Sequence, residues 1–342
     1  MEDLIKLQHL IAPELIKLID TRYTILQTVL YLQPIGRRSL AKKLELSERE
    51  VRKQLKFLQE RRFVNSTRAG AEITARGEEI FSKLADYIKS SRGLHSLELE
   101  LAKSLELKAA YVVPSTLDAQ QTKEELGRFA AKFLQNNIDN GDKLAVTGGT
   151  TLAAVAEALL NNGDLAEIMV LPGRGGLGEG VEIQANTIAA KIAKKLGGKY
   201  RLLHVPDNLD QSLHDTIVSE PQIKEVLSLA KEADVLMHGI GTVEIMTERR
   251  DLNQDQLLQL QSKGAIGEAF GYYFDDSGEI VYSTPSVGLQ LEDLKEIETV
   301  IAVAGGKEKA AAIISVIING EQDILITEEE AAQQILDILD QH

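Results

Sequence analysis

The stretch SEREVRKQLKFL, residues 47–58, indicates one helix with two different faces. Ser47 stands three residues before Glu50, the spacing of a capping box in which each side chain satisfies a free backbone N–H. Apolar residues at positions 51, 55 and 58 share one face. The basic residues fall at i, i+3, i+4 and i+7 and line a second face: Arg49, Arg52, Lys53 and Lys56. One face can therefore rest on a scaffold while the other enters a groove of DNA, as recognition helices do.

The segments on either side predict a winged helix-turn-helix over residues 21–74. Residues 22–32 have apolar side chains at helical spacing and end before Pro34, and a second short helix follows Ser39. Residues 63–65 and 71–74 can pair as a short wing, with Arg61 and Arg62 close to DNA phosphates. The residues that we expect to contact DNA are Arg37, Arg38, Ser47, Arg49, Arg52, Lys53, Lys56 and Arg68.

Charge is divided unevenly along the chain. Residues 1–92 carry 18 Lys and Arg against 12 Asp and Glu, a balance of +6, and the other residues carry 20 against 40, a balance of −20. Because phosphates attract the first part and repel the second, DNA contact is expected only in the first. The alternative is an interaction protein in which the basic helix is a solvated surface without a nucleic-acid partner.

Length and composition exclude several classes of protein. A chain of 342 residues favours two domains, and we expect a DNA-binding domain over residues 1–92 and an α/β effector and oligomerisation domain over residues 93–342. The absence of Cys excludes disulfides, thiolate catalysis and Cys-ligated zinc. Acidic residues at positions 2 and 3 argue against a signal peptide, and no apolar run reaches the roughly 20 residues of a membrane span. The sequence predicts a soluble, cytoplasmic protein.

Two flanking segments bear on oligomerisation. Residues 4–18 carry an apolar stripe interrupted by Pro13, and residues 77–107 predict one long helix rich in Leu and Glu. Each segment could pack within one chain or between two chains. Because paired DNA half-sites usually require a symmetric protein, we expect a homo-oligomer, either a dimer or a tetramer.

From residue 110 onward, short aliphatic and β-branched runs alternate with helical stretches. This alternation is typical of a Rossmann-like α/β fold, a parallel sheet covered by helices. In such sheets, ligands bind beyond the carboxyl ends of the strands. The predicted strands are residues 110–114, 143–147, 168–171, 200–205, 234–237 and 299–304, and the helical stretches include 187–196 and 309–318.

Four loops at these predicted carboxyl ends merit comparison. TGGTT at 147–151 opens directly into a helix, so its glycines and free N–H groups suit an anion. PGRGGLG at 172–178 offers Arg174, and GGKEK at 305–309 offers Lys307 and Lys309. The fourth loop is HGIGT at 238–242. One glycine loop is ordinary turn chemistry, but three anion-suited loops at one end of a sheet favour a ligand with phosphate, and two separated phosphates would explain both groups of cations.

The loops lack the two common nucleotide patterns. The phosphate-loop spacing G-x-x-x-x-G-K-[ST] is missing, and no G-x-G-x-x-G follows the first strand. Instead, the winged helix-turn-helix together with TGGTT, PGRGG, QxNxIA at 184–189 and GG…K at 305–309 resembles the SorC family of bacterial sugar-responsive repressors, over nearly the whole chain.

The resemblance implies both a function and a site. It implies a repressor of a glycolytic operon whose effector domain has the fold of sugar-phosphate isomerases and deaminases, with fructose 1,6-bisphosphate or a related sugar phosphate as effector. One phosphate would lie against the TGGTT loop and Lys309, and the other against the PGRGG loop and Arg249 or Arg250. Sugar hydroxyls would contact Gln184 and Glu268. The implied effector-binding residues are Gly148, Gly149, Thr150, Thr151, Arg174, Gly175, Gly176, Gln184, Arg249, Glu268 and Lys309.

The alternative is an enzyme, a sugar-phosphate isomerase or deaminase with an added nucleic-acid-binding module. In deaminases and lactonases, Gly-Ile-Gly continues into Asp-Gly-His, whereas GIG at 239–241 continues here as TVE and lacks that histidine. We expect His238 to be structural and Asp275-Asp276 to form a turn. The other histidines have no metal-site spacing. We therefore predict no catalysis, no cofactor, no metal and no membrane partner.

Overall fold

The computed structural model describes residues 2–116, 118–161, 163–176, 180–205, 216–249, 252–284 and 286–341. Within them the chain forms two compact units. The first comprises Met1–Ser96 with Pro114–Gln121, and the second comprises Leu97–Val113 with Thr122–His342. The finer boundary expected between residues 92 and 93 stays a prediction.

The first unit contains helices and one small hairpin. Its second to sixth elements are the three helices and two strands of the expected winged helix-turn-helix, and the short second helix of that motif begins at residue 37, two residues before Ser39. The elements are α1 (Glu2–Ile11), α2 (Pro13–Leu32), α3 (Arg37–Lys43), α4 (Glu48–Glu60), β1 (Val64–Ser66), β2 (Ala71–Ile73) and α5 (Ala75–Ser91), and α6 (Leu94–Ser104) follows. The winged helix-turn-helix is confirmed.

The core of this unit fixes the orientation of α4. Val51, Leu55 and Leu58, the face predicted to be apolar, are all buried. Behind them the rings of Tyr23 and Phe81 stack with their centroids 4.7 Å apart. Burial of that stripe leaves the opposite, basic face of α4 turned to solvent.

The wing is tied to the start of α3. β1 and β2 pair antiparallel, with Val64 opposite Ile73 and Ser66 opposite Ala71, and a bridge joins Ile35 to Ala71. Gly70 has a φ of +150°, and a Cβ there would lie 2.5 Å from the carbonyl carbon and oxygen of Ile35. Only glycine permits this approach, so the wing tip depends on that residue.

Residues 77–107 form two helices instead of the single helix predicted. α5 ends at Ser91, α6 starts at Leu94, and Gly93 between them has a φ of +72°. A glycine in the left-handed region is a common end of a helix, since other residues adopt that conformation at a cost. The Leu- and Glu-rich pattern continued through this break, which is why periodicity alone missed it.

The second unit is built on a seven-stranded sheet in which every described strand pairing is parallel. The predicted α/β fold is therefore confirmed. The strands, in spatial order, are β3 (Ala109–Val113), β13 (Ile324–Glu328), β12 (Thr299–Val303), β7 (Val235–His238), β4 (Lys143–Val146), β5 (Met169–Pro172) and β6 (Lys199–Tyr200).

Helices connect these strands, and their packing side chains are aliphatic. Leu144, Val146, Met237 and Val303 are fully buried in the main cluster, as expected for strands covered on both faces. The helix predicted at 309–318 begins one residue later, after a 3₁₀ turn at Lys307–Lys309. The helices are α7 (Ala119–Asn136), α8 (Thr150–Ala158), α9 (Ala185–Leu196), α10 (Pro221–Lys231), α11 (Val243–Arg249), α12 (Gln254–Ser262), α13 (Leu291–Leu294), α14 (Ala310–Ile317) and α15 (Glu329–Leu339).

The strand predicted at residues 200–205 is wrong beyond Tyr200. The side chain of Asn186, on α9, binds the backbone of Leu203 twice: Nδ2 donates to its carbonyl at 3.0 Å, and Oδ1 accepts its N–H at 2.8 Å. These groups are therefore occupied and cannot extend the pairing with β5. The asparagine of the QxNxIA segment thus holds a loop in place.

A second, antiparallel sheet was not predicted. Its strands are β8 (Gly241–Thr242), β9 (Gly267–Ala269), β10 (Tyr272–Phe274) and β11 (Ile280–Ser283), in the order β11-β10-β9-β8. Each strand has two to four residues, too few to show an alternating pattern. The turn expected at Asp275-Asp276 is confirmed, since Asp275 Oδ1 accepts hydrogen bonds from the backbone N–H groups of Ser277 and Glu279.

Candidate functional site

The four glycine loops leave four adjacent strands of the parallel sheet. β5, β4, β7 and β12 are neighbours in that order, and because they are parallel, their carboxyl ends lie at one edge. The chain adds β5 and β6 on one side of β4 and then returns to place β7 on its other side. Strand order therefore reverses between β4 and β7, which is where open α/β sheets bind ligands.

The β4 loop presents the amino end of a helix. Gly149, with a φ of +126°, is the N-cap of α8 and provides no capping side chain, so the first N–H groups of the helix, at Thr150 and Thr151, lack intrahelical acceptors. The Gly149 N–H donates to Ile183 O at 2.8 Å. A Cβ on Gly148 would lie 2.8 Å from that same carbonyl oxygen. The loop is thus held against the segment that leads into Gln184.

The β5 loop contains a buried cation with a buried acid beside it. Arg174 is 7% exposed and Glu268, on β9, is 4% exposed. Arg174 Nη1 lies 3.5 Å from Glu268 Oε1, and that oxygen also accepts the Gly271 N–H at 2.6 Å. Glu268 therefore lies next to Arg174 because of the second sheet, which was not predicted.

The two glycines after Arg174 are hydrogen-bonded within the protein, and their expected contact with a phosphate stays a prediction. Their N–H groups donate to protein carbonyls, Gly175 to Val287 and Gly176 to Val205, so these donors are already used. A Cβ on Gly176 would lie 3.2 Å from Gln184 Oε1. The glycines let the loop pass close to Gln184, and the rest of the PGRGGLG segment, residues 177–178, lies outside the described residues.

The β7 loop begins with a buried, neutral histidine. His238 is the last residue of β7, one position later than the predicted strand end, and is 1% exposed. Its Nδ1 lies 3.1 Å from Gly239 O, and its ring lies 4.7 Å from that of Phe270. Burial lowers the pKa of His238 to about 4, outweighing the opposing effects of the Gly239 carbonyl and Glu268. An uncharged, packed imidazole fits the structural role expected for it.

The β12 loop gathers positive charge. Lys309 is half-buried, whereas Lys307 is exposed. Burial lowers the pKa of Lys309, and the positive charges of Lys123 and Arg249 lower it further, while Glu308 opposes them. The charge of Arg249 therefore acts on Lys309, and its expected contact with the phosphate at the Arg174 end stays a prediction. Arg250 lies outside the described residues, so the choice between the two arginines stays a prediction.

Lys123 is a residue that the sequence analysis missed. It lies on α7, far from every glycine loop in the sequence, and no motif surrounds it. The only available signal was topological, because α7 follows β3, the strand that pairs with β13.

The first unit has a basic groove between the recognition helix and the wing. The groove is about 350 Å³ in volume, and its lining includes Arg37, Arg52, Lys56 and Arg68. Arg49 and Lys53 are exposed on the same helix. Arg38 is exposed and lies 3.7 Å from Glu48. Seven of the eight expected DNA contacts therefore lie on α4 or on segments next to it.

The base of the recognition helix is fixed by polar contacts. Ser47 Oγ accepts the Glu50 N–H at 3.1 Å, the first of the two capping-box bonds. Glu50 Oε1 instead accepts from Gln54, whose Oε1 accepts from Arg22 Nε at 2.9 Å. Ser47 is thus a cap in the structure, and its contact with DNA stays a prediction.

The described residues contain no group of three or more acidic or histidine side chains arranged to hold a metal ion. None of the helices in that part of the chain combines the length and apolarity needed to cross a bilayer.

Comparison with known proteins identifies both units. Residues 18–88 match the family model "CggR N-terminal DNA binding domain", and residues 90–337 match "Putative sugar-binding domain". The chain is 42% identical to the central glycolytic genes regulator of Priestia megaterium, over 98% of this chain and 99% of that protein. Identity to the Bacillus subtilis protein of the same name is 41%, with the same coverage.

Solved structures give the same picture. A "putative SorC family transcriptional regulator" from Enterococcus faecalis is 39% identical, with a TM-score of 0.65, covering 71% of this chain and 100% of that one. The full-length sorbitol operon regulator of Klebsiella pneumoniae, at 20% identity and a TM-score of 0.67, covers 93% of this chain and 98% of its own, and it shares the fold. These relatives are transcriptional regulators, not enzymes.

Proposed function

Because the chain belongs to the SorC family of sugar-responsive transcriptional regulators, we propose that it represses a glycolytic operon and releases or remodels its DNA complex when a phosphorylated sugar binds the second unit. The preferred effector in this proposal is fructose 1,6-bisphosphate. The glycolytic target is supported by the names of the relatives from Priestia megaterium and Bacillus subtilis.

One observation carries the proposal: four glycine loops meet at the strand-order reversal and bring cations to two separate places. Arg174 stands after β5 and Lys309 after β12, and the charge of Arg249, at the end of α11, acts on Lys309. A phosphate monoester carries about −1.5 to −2 charges near neutral pH. A sugar with a phosphate at each end would satisfy both places, whereas a monophosphate would leave one unmatched.

Each expected residue has a part in this site. The amino end of α8, with Gly148, Gly149, Thr150 and Thr151, would hold one phosphate, assisted by Lys309 and Arg249. Arg174 would hold the other. Gly175 and Gly176 would keep the loop close to Gln184, which, with Glu268, would accept or donate hydrogen bonds at the sugar hydroxyls.

The Arg174–Glu268 pair suggests how binding reorganises the site. A buried arginine needs a negative partner, and in the ligand-free protein Glu268 supplies it. An incoming phosphate offers Arg174 a stronger, multiply charged acceptor. Glu268 would then be released toward a sugar hydroxyl. Because Glu268 belongs to the second sheet, this exchange would move β9 relative to the β5 loop.

The proposed partners are double-stranded operator DNA, the phosphorylated sugar and further copies of this chain. Winged helices of a dimer or tetramer would occupy a pseudo-palindromic operator, with Arg49, Arg52, Lys53 and Lys56 reaching the groove. Arg37, Arg38 and Arg68 would contact phosphates. A ligand changes DNA affinity only through its different affinities for the two states, typically about 1–3 kcal/mol.

Thermal unfolding of the full-length protein against a panel of ligands tests the effector. A ligand at 100 times its dissociation constant adds about 2.7 kcal/mol of stability. We expect the largest rise in melting temperature with fructose 1,6-bisphosphate, smaller rises with fructose 6-phosphate and glucose 6-phosphate, and none with fructose. Equal rises with every phosphate, or none with any, would contradict the proposed effector.

A further inference from the structure

Leu126, in the second turn of α7, packs against the β12 loop. Leu126 is 2% exposed, and a Cβ on Gly305 would lie 2.5 Å from Leu126 Cδ1. The glycine therefore allows α7 to approach the loop this closely. Side chains three residues apart lie on one face of a helix, so Lys123 shares the face of α7 that Leu126 presents to the loop.

Three cations from three separate elements interact electrostatically at this loop. Lys123 comes from α7, Arg249 from the end of α11, and Lys309 from the 3₁₀ turn after β12. The positive charges of Lys123 and Arg249 contribute to the lowered pKa of Lys309, after burial, which is the largest cause. Lys123 is itself half-buried, so water screens its charge less than it would at the surface.

The cluster shares its loop with a buried carboxylate, Glu328, whose Oε1 accepts the Gly306 N–H at 3.2 Å. Glu308 is the acidic neighbour whose charge acts on Lys309, whereas Lys123 and Arg249 repel it. Like charges brought together in a partly buried place repel one another. A bound dianion would reduce the repulsion that Lys309 experiences from Lys123 and Arg249.

We propose that Lys123 is a third cation of the phosphate subsite formed by Lys309 and Arg249, and that it binds the phosphate monoester at one end of the sugar ligand. This inference rests on the function proposed above and extends its site to α7. The residue would neutralise charge that Lys309 alone leaves unmatched. Through Lys123, ligand binding would also affect α7, the helix that follows the outer strand β3.

The proposal predicts opposite effects on stability and on binding. If Lys123 only stabilised the fold, its removal would lower the stability of the ligand-free protein. If it serves the ligand, its removal relieves repulsion, so the ligand-free protein becomes as stable or more stable, while effector affinity falls. A substitution that keeps or raises stability but lowers effector affinity identifies a binding residue, whereas one that lowers stability identifies a structural residue.

Lys123→Gln in the full-length protein tests this, with Lys132→Gln as the matched control. Lys132 lies on the same helix and is exposed, so the control removes the same charge from the same element. Calorimetric titration with fructose 1,6-bisphosphate should show a roughly tenfold loss of affinity for Lys123→Gln, about 1.4 kcal/mol, and no change for the control. Lys123→Arg should keep most of the affinity, and the melting temperature of ligand-free Lys123→Gln should equal or exceed that of the wild type.

Three results separate the possible failures. Affinity of Lys123→Gln equal to that of the control, or a lowered melting temperature without ligand, would overturn the proposal while leaving the proposed function intact. A wild-type protein that binds none of the sugar phosphates would overturn the proposed function first. Titration with inorganic phosphate separates the two sources of the anion, because binding as tight as that of the bisphosphate would show that the site takes free phosphate instead of a sugar ligand.

Discussion

At the scale of single residues, the buried pair Arg174–Glu268 was only half predicted from the sequence. The PGRGG motif made Arg174 a candidate because it is the one charged residue in its loop. Nothing local in the sequence pairs it with Glu268, 94 residues later. The pairing depends on the second sheet, whose strands are too short to be predicted.

We expect Arg174→Ala to abolish the response to the effector and to lower stability. Removing the arginine leaves the carboxylate of Glu268 buried without this partner, a change that typically costs about 3–5 kcal/mol. The double substitution Arg174→Ala with Glu268→Ala should recover much of the stability but none of the effector binding. Urea unfolding and calorimetric titration measure the two quantities. Full effector binding by the double variant would contradict the site.

His238 makes stability depend on pH in a defined window. Burial lowers its pKa to about 4 in the folded protein, against 6.5 for an ordinary histidine. Between these values the unfolded chain binds a proton that the folded protein does not, so stability is complete above 6.5 and falls as the pH falls toward 4. The total loss from this residue is about 3 kcal/mol.

We expect His238→Asn to remove that part of the pH dependence and His204→Asn, at an exposed histidine, to leave it unchanged. Urea unfolding at neutral pH and near pH 4.5 measures the difference for each variant. An imidazole of His238 that titrates near 6.5 by NMR would contradict its burial in the folded state.

At the scale of elements, regular patterns were predicted well and interruptions poorly. Four strands of the parallel sheet, β4, β5, β7 and β12, are apolar runs that end in glycine loops, and α4 has an unmistakable pair of faces, so these were predicted from the sequence. The strand β13 (Ile324–Glu328) was not predicted. The break at Gly93 and the early end of β6 at Tyr200 were not. Each depends on one local event, a left-handed glycine in the first case and the two hydrogen bonds of Asn186 in the second.

For the recognition helix, we expect the double variant Arg52→Ala with Lys53→Ala to lose operator binding while the effector still protects it against heat. Each lost phosphate contact lowers the slope of log affinity against log salt by about 0.9 on duplex DNA, so two contacts would lower it by about 2. Fluorescence anisotropy with a labelled operator duplex measures this slope.

The matched control removes two exposed lysines from the second unit, Lys194→Ala with Lys224→Ala. It has the same change in net charge, so it should keep the affinity and the slope of the wild type. If the two double variants behave alike, only net charge matters and α4 is not the contact.

At the scale of the whole molecule, the chain combines a basic DNA-binding unit with an acidic unit that brings cations to two places at one edge of its sheet. The charge division was visible in the sequence, as was the conclusion that anion-suited loops meet at one edge of a sheet. Which residues form the site was harder to predict from the sequence. Lys123 belongs to it through the packing of α7 on Gly305, and no sequence motif records a contact between residues so far apart in the chain.

The central claim is that the two units are coupled, and titration of fructose 1,6-bisphosphate into the full-length protein, with and without saturating operator duplex, tests it most directly. Linkage requires operator to weaken effector binding by the same factor by which effector weakens operator binding, typically about 5- to 150-fold. We expect the two factors, measured separately, to agree. A single effector affinity in both titrations would contradict the account.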